Sequence, residues 1–107
     1  MGSENIVLTE AAYYILLSLF KPLHGYGIMH NVEGLSAGRV RLAAGTLYGA
    51  ISNLLEKGWI SAVPGETNSR KKKYVITDLG RRVVLSDLMR LRELVRNGEN
   101  IIQGGSQ

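Results

Sequence analysis

GTLYGAISNLLEKGWI, Gly45 to Ile60, is the stretch whose reading decides the fold. At helical spacing, Leu47, Ile51, Leu54 and Leu55 fall at i, i+4, i+7 and i+8, an apolar stripe as wide as a core-facing helix needs. The opposite side carries Thr46, Gly49, Ala50, Asn53 and Lys57, small or polar residues flanked by Tyr48 and Ser52. Nothing large holds that side away from another surface. Lys57-Gly58 stops the helix with a cation in its last turn and a glycine suited to a left-handed cap, and Trp59-Ile60 opens an extended run. A helix with one buried face and one slim, hydrogen-bonding face is what the major groove of DNA admits. An ordinary amphipathic helix of a small bundle is the alternative, and this stretch alone does not separate the two.

Upstream, Thr9 is a good N-cap, Glu10 sits where the helix dipole favours an anion, and Leu8, Ala12, Ile15, Leu16 and Leu19 give a stripe that ends before Pro22. This predicts a first helix over 9–20. Tyr13, Tyr14 and Leu17 lie partly off the stripe, so the helix is apolar on two sides and calls for two packing partners. Residues 21–25 read as a turn, and 26–33 as a short second helix with Tyr26, Met29 and Val32 or His30 facing in. Residues 34–41 read as a loop. The third helix, from about Gly45 to Lys57, has Ala43 or Ala44 as its N-cap, a weak start because alanine cannot satisfy an orphan amide.

Downstream, residues 60–63 read as a strand, 64–69 as a turn-rich loop and 71–76 as a returning strand, a hairpin carrying Arg70-Lys71-Lys72-Lys73. Thr77-Asp78 caps a final helix that runs to Asn97-Gly98. On it Val84, Leu88, Leu91 and Val95 alternate four and three residues apart, with Leu85, Met89 and Leu94 widening the seam, which is coiled-coil spacing. A seam this long would be left exposed on a monomer of this size. The chain is therefore expected to be mainly α with a small β-hairpin: a winged helix-turn-helix over 1–77, a dimerisation helix over 78–98 and a flexible tail over 99–107.

A chain of 107 residues supports one domain with a modest core, and a small core favours oligomerisation. The net charge of +4 points to an anionic partner without separating nucleic acid from a membrane surface. Distribution says more: from Arg39 to Arg96 twelve Lys/Arg face five Asp/Glu, whereas residues 1–38 hold Lys21 against Glu4, Glu10 and Glu33. No amphipathic basic helix with exposed aromatic anchors suggests a membrane-surface role. The longest apolar run, 11–20, is too short to span a bilayer. Cysteine is absent, which excludes disulfides and thiolate metal sites and suits a reducing compartment, so a cytoplasmic protein is expected.

Hydroxyls and amides near a helix N-terminus suit phosphate oxygens, and Asn can bridge adenine N6 and N7. Thr46 and Tyr48 are therefore assigned to the DNA backbone, Ser52 or Asn53 to bases, Lys57 to the same surface, and Gly49 to its close approach. The Arg70 to Lys73 run would bind any sequence by counterion release, although alternation along a strand lets at most about half of these cations point one way. Arg39 and Arg41, just ahead of the helix, extend the patch. His24 and His30 lie six apart without Cys, which is not a zinc spacing. No metal, cofactor or enzymatic activity is expected: Gly25-Tyr26-Gly27 lacks both the third glycine and the preceding strand of a phosphate fingerprint, and no nucleophile triad or carboxylate pair is present. Tyr26 reads as a core anchor and Trp59 as packing under the wing.

Three segments together, KPLHGYGIM at 21–29, GTLYGAISNLLEKGWI at 45–60 and RKKKYVITDLGRRVV at 70–84, resemble the signature segments of PadR-type transcriptional regulators in order and spacing. The resemblance implies a homodimeric winged-helix repressor that binds a palindromic operator on double-stranded DNA and is released by a small-molecule or stress signal. The single helix after the wing is similar to the short branch of that family, some of whose members bind flat hydrophobic drugs at the dimer interface. Such an effector pocket would be lined by Tyr13, Tyr14, Leu88, Met89 and Arg92, with a closed dimer core as the alternative. Gly49 stands where the family often has Pro, and Ala43-Ala44 replaces a Ser-containing helix start. The other reading is a winged-helix interaction module that uses the seam to bind a partner protein, with weak or no specific DNA binding.

Overall fold

The computed structural model describes residues 6–68 and 71–104. Along the chain come α1 (Glu10–Ser18), β1 (Leu23–His24), α2 (Gly25–Leu35), α3 (Ala44–Glu56), β2 (Ile60–Ala62), β3 (Lys73–Ile76) and α4 (Asp78–Glu99). The fold is mainly helical, with a small antiparallel sheet ordered β1-β3-β2 that sets Leu23 opposite Tyr74 and Ile60 opposite Ile76. Arg70 lies outside the described residues.

Local chemistry accounts for the helix boundaries. The Thr9 hydroxyl accepts from Ala12 N–H at 3.0 Å and the Thr77 hydroxyl from Gly80 N–H at 3.1 Å, so α1 and α4 start on side-chain caps. His24 does the same for α2, its Nδ1 accepting from Gly27 N–H at 3.1 Å, which makes this histidine a cap. The start of α3 at Ala43 has no side-chain cap, as its sequence requires. Gly58, at φ 76°, takes the left-handed cap position that ends α3.

The core gathers Ile15 and Leu16 from α1 and Leu19 at its C-cap, Ile28 and Val32 from α2, and Leu47, Ile51 and Leu54 from α3 beneath Trp59, Ile60, Tyr74 and Ile76. Polar links tie its layers. Ser18 donates to the Tyr14 carbonyl at 2.7 Å while accepting from the Asn31 amide at 2.9 Å, joining α1 to α2. Buried Ser36 accepts from Val40 N–H at 2.9 Å and organises the loop ahead of α3. Asp87 is only 1% exposed and accepts from Arg90 Nε at 2.7 Å, so its charge stays compensated inside the protomer.

Several sequence expectations are corrected here. Residues 23–24, read as part of a turn, form a third strand because the Leu23-His24 backbone pairs with Lys73-Tyr74. Tyr26, expected to anchor the core, is 74% exposed, and His30 is exposed as well: α2 begins at Gly25, which puts Gly25, Ile28 and Val32 on the inner face. Leu55 leaves the α3 stripe and is 37% exposed. The last helix does not stop at Gly98; it reaches Glu99 and continues through a π-helical turn at Asn100–Gly104. Val84, expected in the dimer seam, is 4% exposed and belongs to the protomer's own core.

The approach of α4 to the sheet depends on Gly80. A Cβ there would overlap the Trp59 carbonyl oxygen and come within 2.7 Å of Ile76 Cγ1. Gly80→Ala should cost about 1–3 kcal/mol by overpacking. Thermal unfolding monitored by circular dichroism should then show a Tm lowered by roughly 4–8 °C per kcal/mol; an unchanged Tm would show that α4 can shift at no cost.

Candidate nucleic-acid interface

Packing fixes how α3 is rotated about its own axis. With about 100° between successive residues, burial of Leu47, Ile51 and Leu54 turns Gly45, Gly49, Ser52 and Glu56 directly outward, and all four are exposed. The sequence-predicted residues are thereby divided. Gly49 and Ser52 occupy the middle of the outward face. Thr46, Asn53 and Lys57 lie on one flank, beside Ala50, and look into a groove between α3 and the start of α1. Tyr48 lies on the other flank.

Tyr48 is anchored there. A Cβ on Gly25 would overlap the Tyr48 hydroxyl, so the bare α2 N-terminus is what lets the phenol lie down against it. Tyr48 also neighbours Tyr74 on the central strand. Glu56, which sequence reasoning passed over, stands on the outward face at the end of the Gly49, Ser52 row. Its spacing of seven and four from those residues was the available signal.

On the wing, Lys71 and Lys73 are exposed and line one shallow groove together with Glu66, while Lys72 is half-buried. Alternation along the strand is the reason: Tyr74 and Ile76 point into the core, and Lys73 points out. Arg39 and Arg41 are exposed but engaged. Arg39 pairs with Glu10 of α1, whose carboxylate raises the guanidinium pKa further, and Arg41 Nε lies 3.4 Å from Glu33 of α2. Exposed pairs of this kind are weak.

On α4, Leu88, Leu91, Arg92 and Val95 share an open groove of about 440 Å³ with Arg96 and Glu99. Tyr13 and Tyr14 sit half-buried on α1 in an edge-to-face pair with centroids 6.2 Å apart, and Met89 is exposed; none of these three lines that groove. Of the five residues expected to form an effector pocket, the protomer brings together Leu88 and Arg92. Among the described residues no cluster of three or more His, Cys, Asp or Glu could hold a metal ion, and no helix is long and apolar enough to cross a membrane.

A slim, exposed helix face, a neighbouring basic wing and a long C-terminal helix form one assembly, and the model of the transcriptional regulator PadR-like family matches residues 15–86. The chain belongs to that family. Its members are transcriptional regulators, not enzymes. The match contains the segments 21–29, 45–60 and 70–84 entirely.

Solved structures agree on the fold. A transcriptional regulator from Clostridium thermocellum is 24% identical, with 87% of this chain and 91% of that one covered at a TM-score of 0.67. A PadR family regulator from Eggerthella lenta is 22% identical over 88% and 82% of the two chains, at 0.69. One from Clostridium difficile is 21% identical over 90% of this chain and 100% of that one, at 0.68. No curated protein matches the chain in sequence.

Burial pushes the Tyr74 phenol above its ordinary 10.0, and neighbouring Tyr48 adds to the rise. The folded state thus holds the Tyr74 proton more tightly than the unfolded state. This stabilisation is complete below the unfolded value and is lost as pH rises through the folded one. Urea denaturation at several pH values from about 9 to 11 should show the wild type losing stability with pH more steeply than Tyr74→Phe; parallel profiles would mean that Tyr74 ionises without cost.

Proposed function

We propose that the chain is a homodimeric, sequence-specific DNA-binding regulator, a repressor acting on a palindromic operator in the cytoplasm and released by a small-molecule signal. The observation that carries this reading is the outward face of α3: Gly45, Gly49 and Ser52 leave it without bulk, and Asn53, Lys57 and Tyr48 flank it with hydrogen-bonding groups. Such a face can approach base edges in the major groove. Thr46 and Tyr48 then meet the sugar-phosphate backbone, Ser52 and Asn53 read bases, and Lys71 and Lys73 with Arg70 supply phosphate contacts from the wing. Arg39 and Arg41 join them once they leave their acidic partners.

In the dimer, the seam of α4 runs through Leu88, Leu91 and Val95, which continue outward from buried Val84 and are half-buried or exposed in the protomer. Two α3 helices would then read half-sites about 10 bp apart, or a multiple of that. A protein-interaction module with little DNA affinity is the second reading. Glu56 favours it, because a carboxylate at the end of the outward face repels phosphates, although a carboxylate can also accept from cytosine N4.

Selection from a randomised duplex pool, at low and near-physiological salt, tests the proposal. An enriched palindrome that survives the salt increase supports it; uniform binding that vanishes with salt leaves only the wing engaged. On the selected duplex, Lys71→Ala with Lys73→Ala should reduce the salt slope by about 2, at roughly 0.9 per phosphate contact, and an unchanged slope would remove both lysines from the interface. Leu91→Glu should give a monomer by sedimentation equilibrium and abolish palindrome binding, since a charge in the seam is buried without a partner. A dimer that persists would place the interface elsewhere.

A further inference from the structure

The flank of α3 that carries Thr46, Asn53 and Lys57 does not face open solvent alone. It forms one wall of a groove of about 450 Å³ whose other wall is the segment 6–9 and the start of α1. That volume falls within the range of small-molecule sites, and such sites combine an apolar lining with a few convergent polar groups. Ile6, Leu8, Ala12, Ile15, Leu42 and Leu54 make the lining chiefly aliphatic, with Trp59 at one end.

Lys57 is the one ionisable side chain among the groove's described lining residues. It makes no ion pair with a described acid; its ammonium lies 5.3 Å from the centre of the Trp59 ring. The side chains of Thr46 and Asn53 likewise make no hydrogen bond to a described residue, and both open onto the same groove. A single unpaired cation at the rim of an aliphatic trough is complementary to one kind of small molecule, a hydrocarbon chain that ends in an anion.

We propose that this groove binds a medium-chain aliphatic carboxylate. The chain lies between α1 and α3, and the carboxylate meets Lys57 with Thr46 or Asn53 as hydrogen-bond donor. The same lysine and asparagine belong to the flank assigned above to DNA, so an occupied groove withdraws them from phosphate and base. This consequence, though not the site itself, rests on the DNA-binding reading. The groove is distinct from the α4 seam, and its described lining residues belong to a single protomer and include none of the seam's.

Trp59 is the single tryptophan of the chain and lines the groove, so its fluorescence reports on this site. The purified protein is titrated without DNA against decanoate and against decanol, both below their aggregation limits. Decanoate should change Trp59 emission saturably at one molecule per protomer and bind about two- to fivefold more tightly than decanol, the advantage expected of one exposed charge pair. Lys57→Gln should erase that advantage while leaving decanol unaffected. Ala12→Phe and Ala50→Phe, which fill the groove from opposite walls, should each weaken decanoate by at least about tenfold, with folding checked by circular dichroism.

No saturable Trp59 response to decanoate, a response equal to that of decanol, or undiminished binding by whichever filling variant folds would overturn the site, whether or not the protein binds DNA. Decanoate should then weaken wild-type binding to the selected duplex and leave Ala12→Phe insensitive. Bound decanoate without effect on the duplex overturns the coupling. Failure of the wild type to bind any duplex overturns the DNA-binding reading, while the fluorescence result for the groove stands.

Discussion

The junction where α3 ends and α4 begins is the constraint on which the rest of the structure depends. Thr77 donates its backbone N–H to the Trp59 carbonyl at 3.0 Å and its hydroxyl to the Gly58 carbonyl at 2.7 Å, and it still caps α4 through Gly80 N–H. One side chain thus satisfies the end of one helix and the start of another. Gly80 lets the backbones come close enough for those bonds to form. From this point the recognition-type helix, the wing and the long C-terminal helix diverge, and their relative directions follow from it.

A second junction works in the same sense from the other side. Ile76 N–H donates to the Leu19 carbonyl at 2.8 Å, and β1 pairs with β3, so the central strand is held both by the segment that follows α1 and by the short strand that precedes α2. Tyr74 is packed beneath, and Tyr48 leans over Gly25 from α3. The wing is consequently not a free hairpin. Its inner residues belong to the core that sets the rotation of α3, and its outer lysines inherit a fixed position relative to that helix.

Much of this was legible in the residues. Thr9, Thr77 and Gly58 declare helix boundaries through local hydrogen bonding and backbone preference, which need no distant partner. The stripe Leu47, Ile51, Leu54 and the pair of short β runs around a basic loop announced the winged helix-turn-helix, and the three family segments named it. The missed features share one physical cause. Leu23-His24 becomes a strand only because residues some fifty positions later lie beside it, and no two-residue run carries a strand signal by itself. Tyr26 was misplaced because the packed face of α2 runs through Gly25, Ile28 and Val32, and Tyr26 lies about 100° around the helix from Gly25.

The sequence by itself determined the order of the four helices and the hairpin, the caps at Thr9, Thr77 and Gly58, the basic character of the wing and the family to which the chain belongs, because each of these is written in near-neighbour spacing. Tertiary structure decided which way the helices face. The rotation of α3 puts Gly49 and Ser52 outward, sends Thr46, Asn53 and Lys57 toward α1, and leaves Glu56 among the outward residues. The packing of α4 draws Val84 into the protomer and leaves Leu88 and Leu91 half-buried and Val95 exposed. These assignments depend on contacts between segments far apart in the chain, and a helical periodicity defines a face without specifying what it meets.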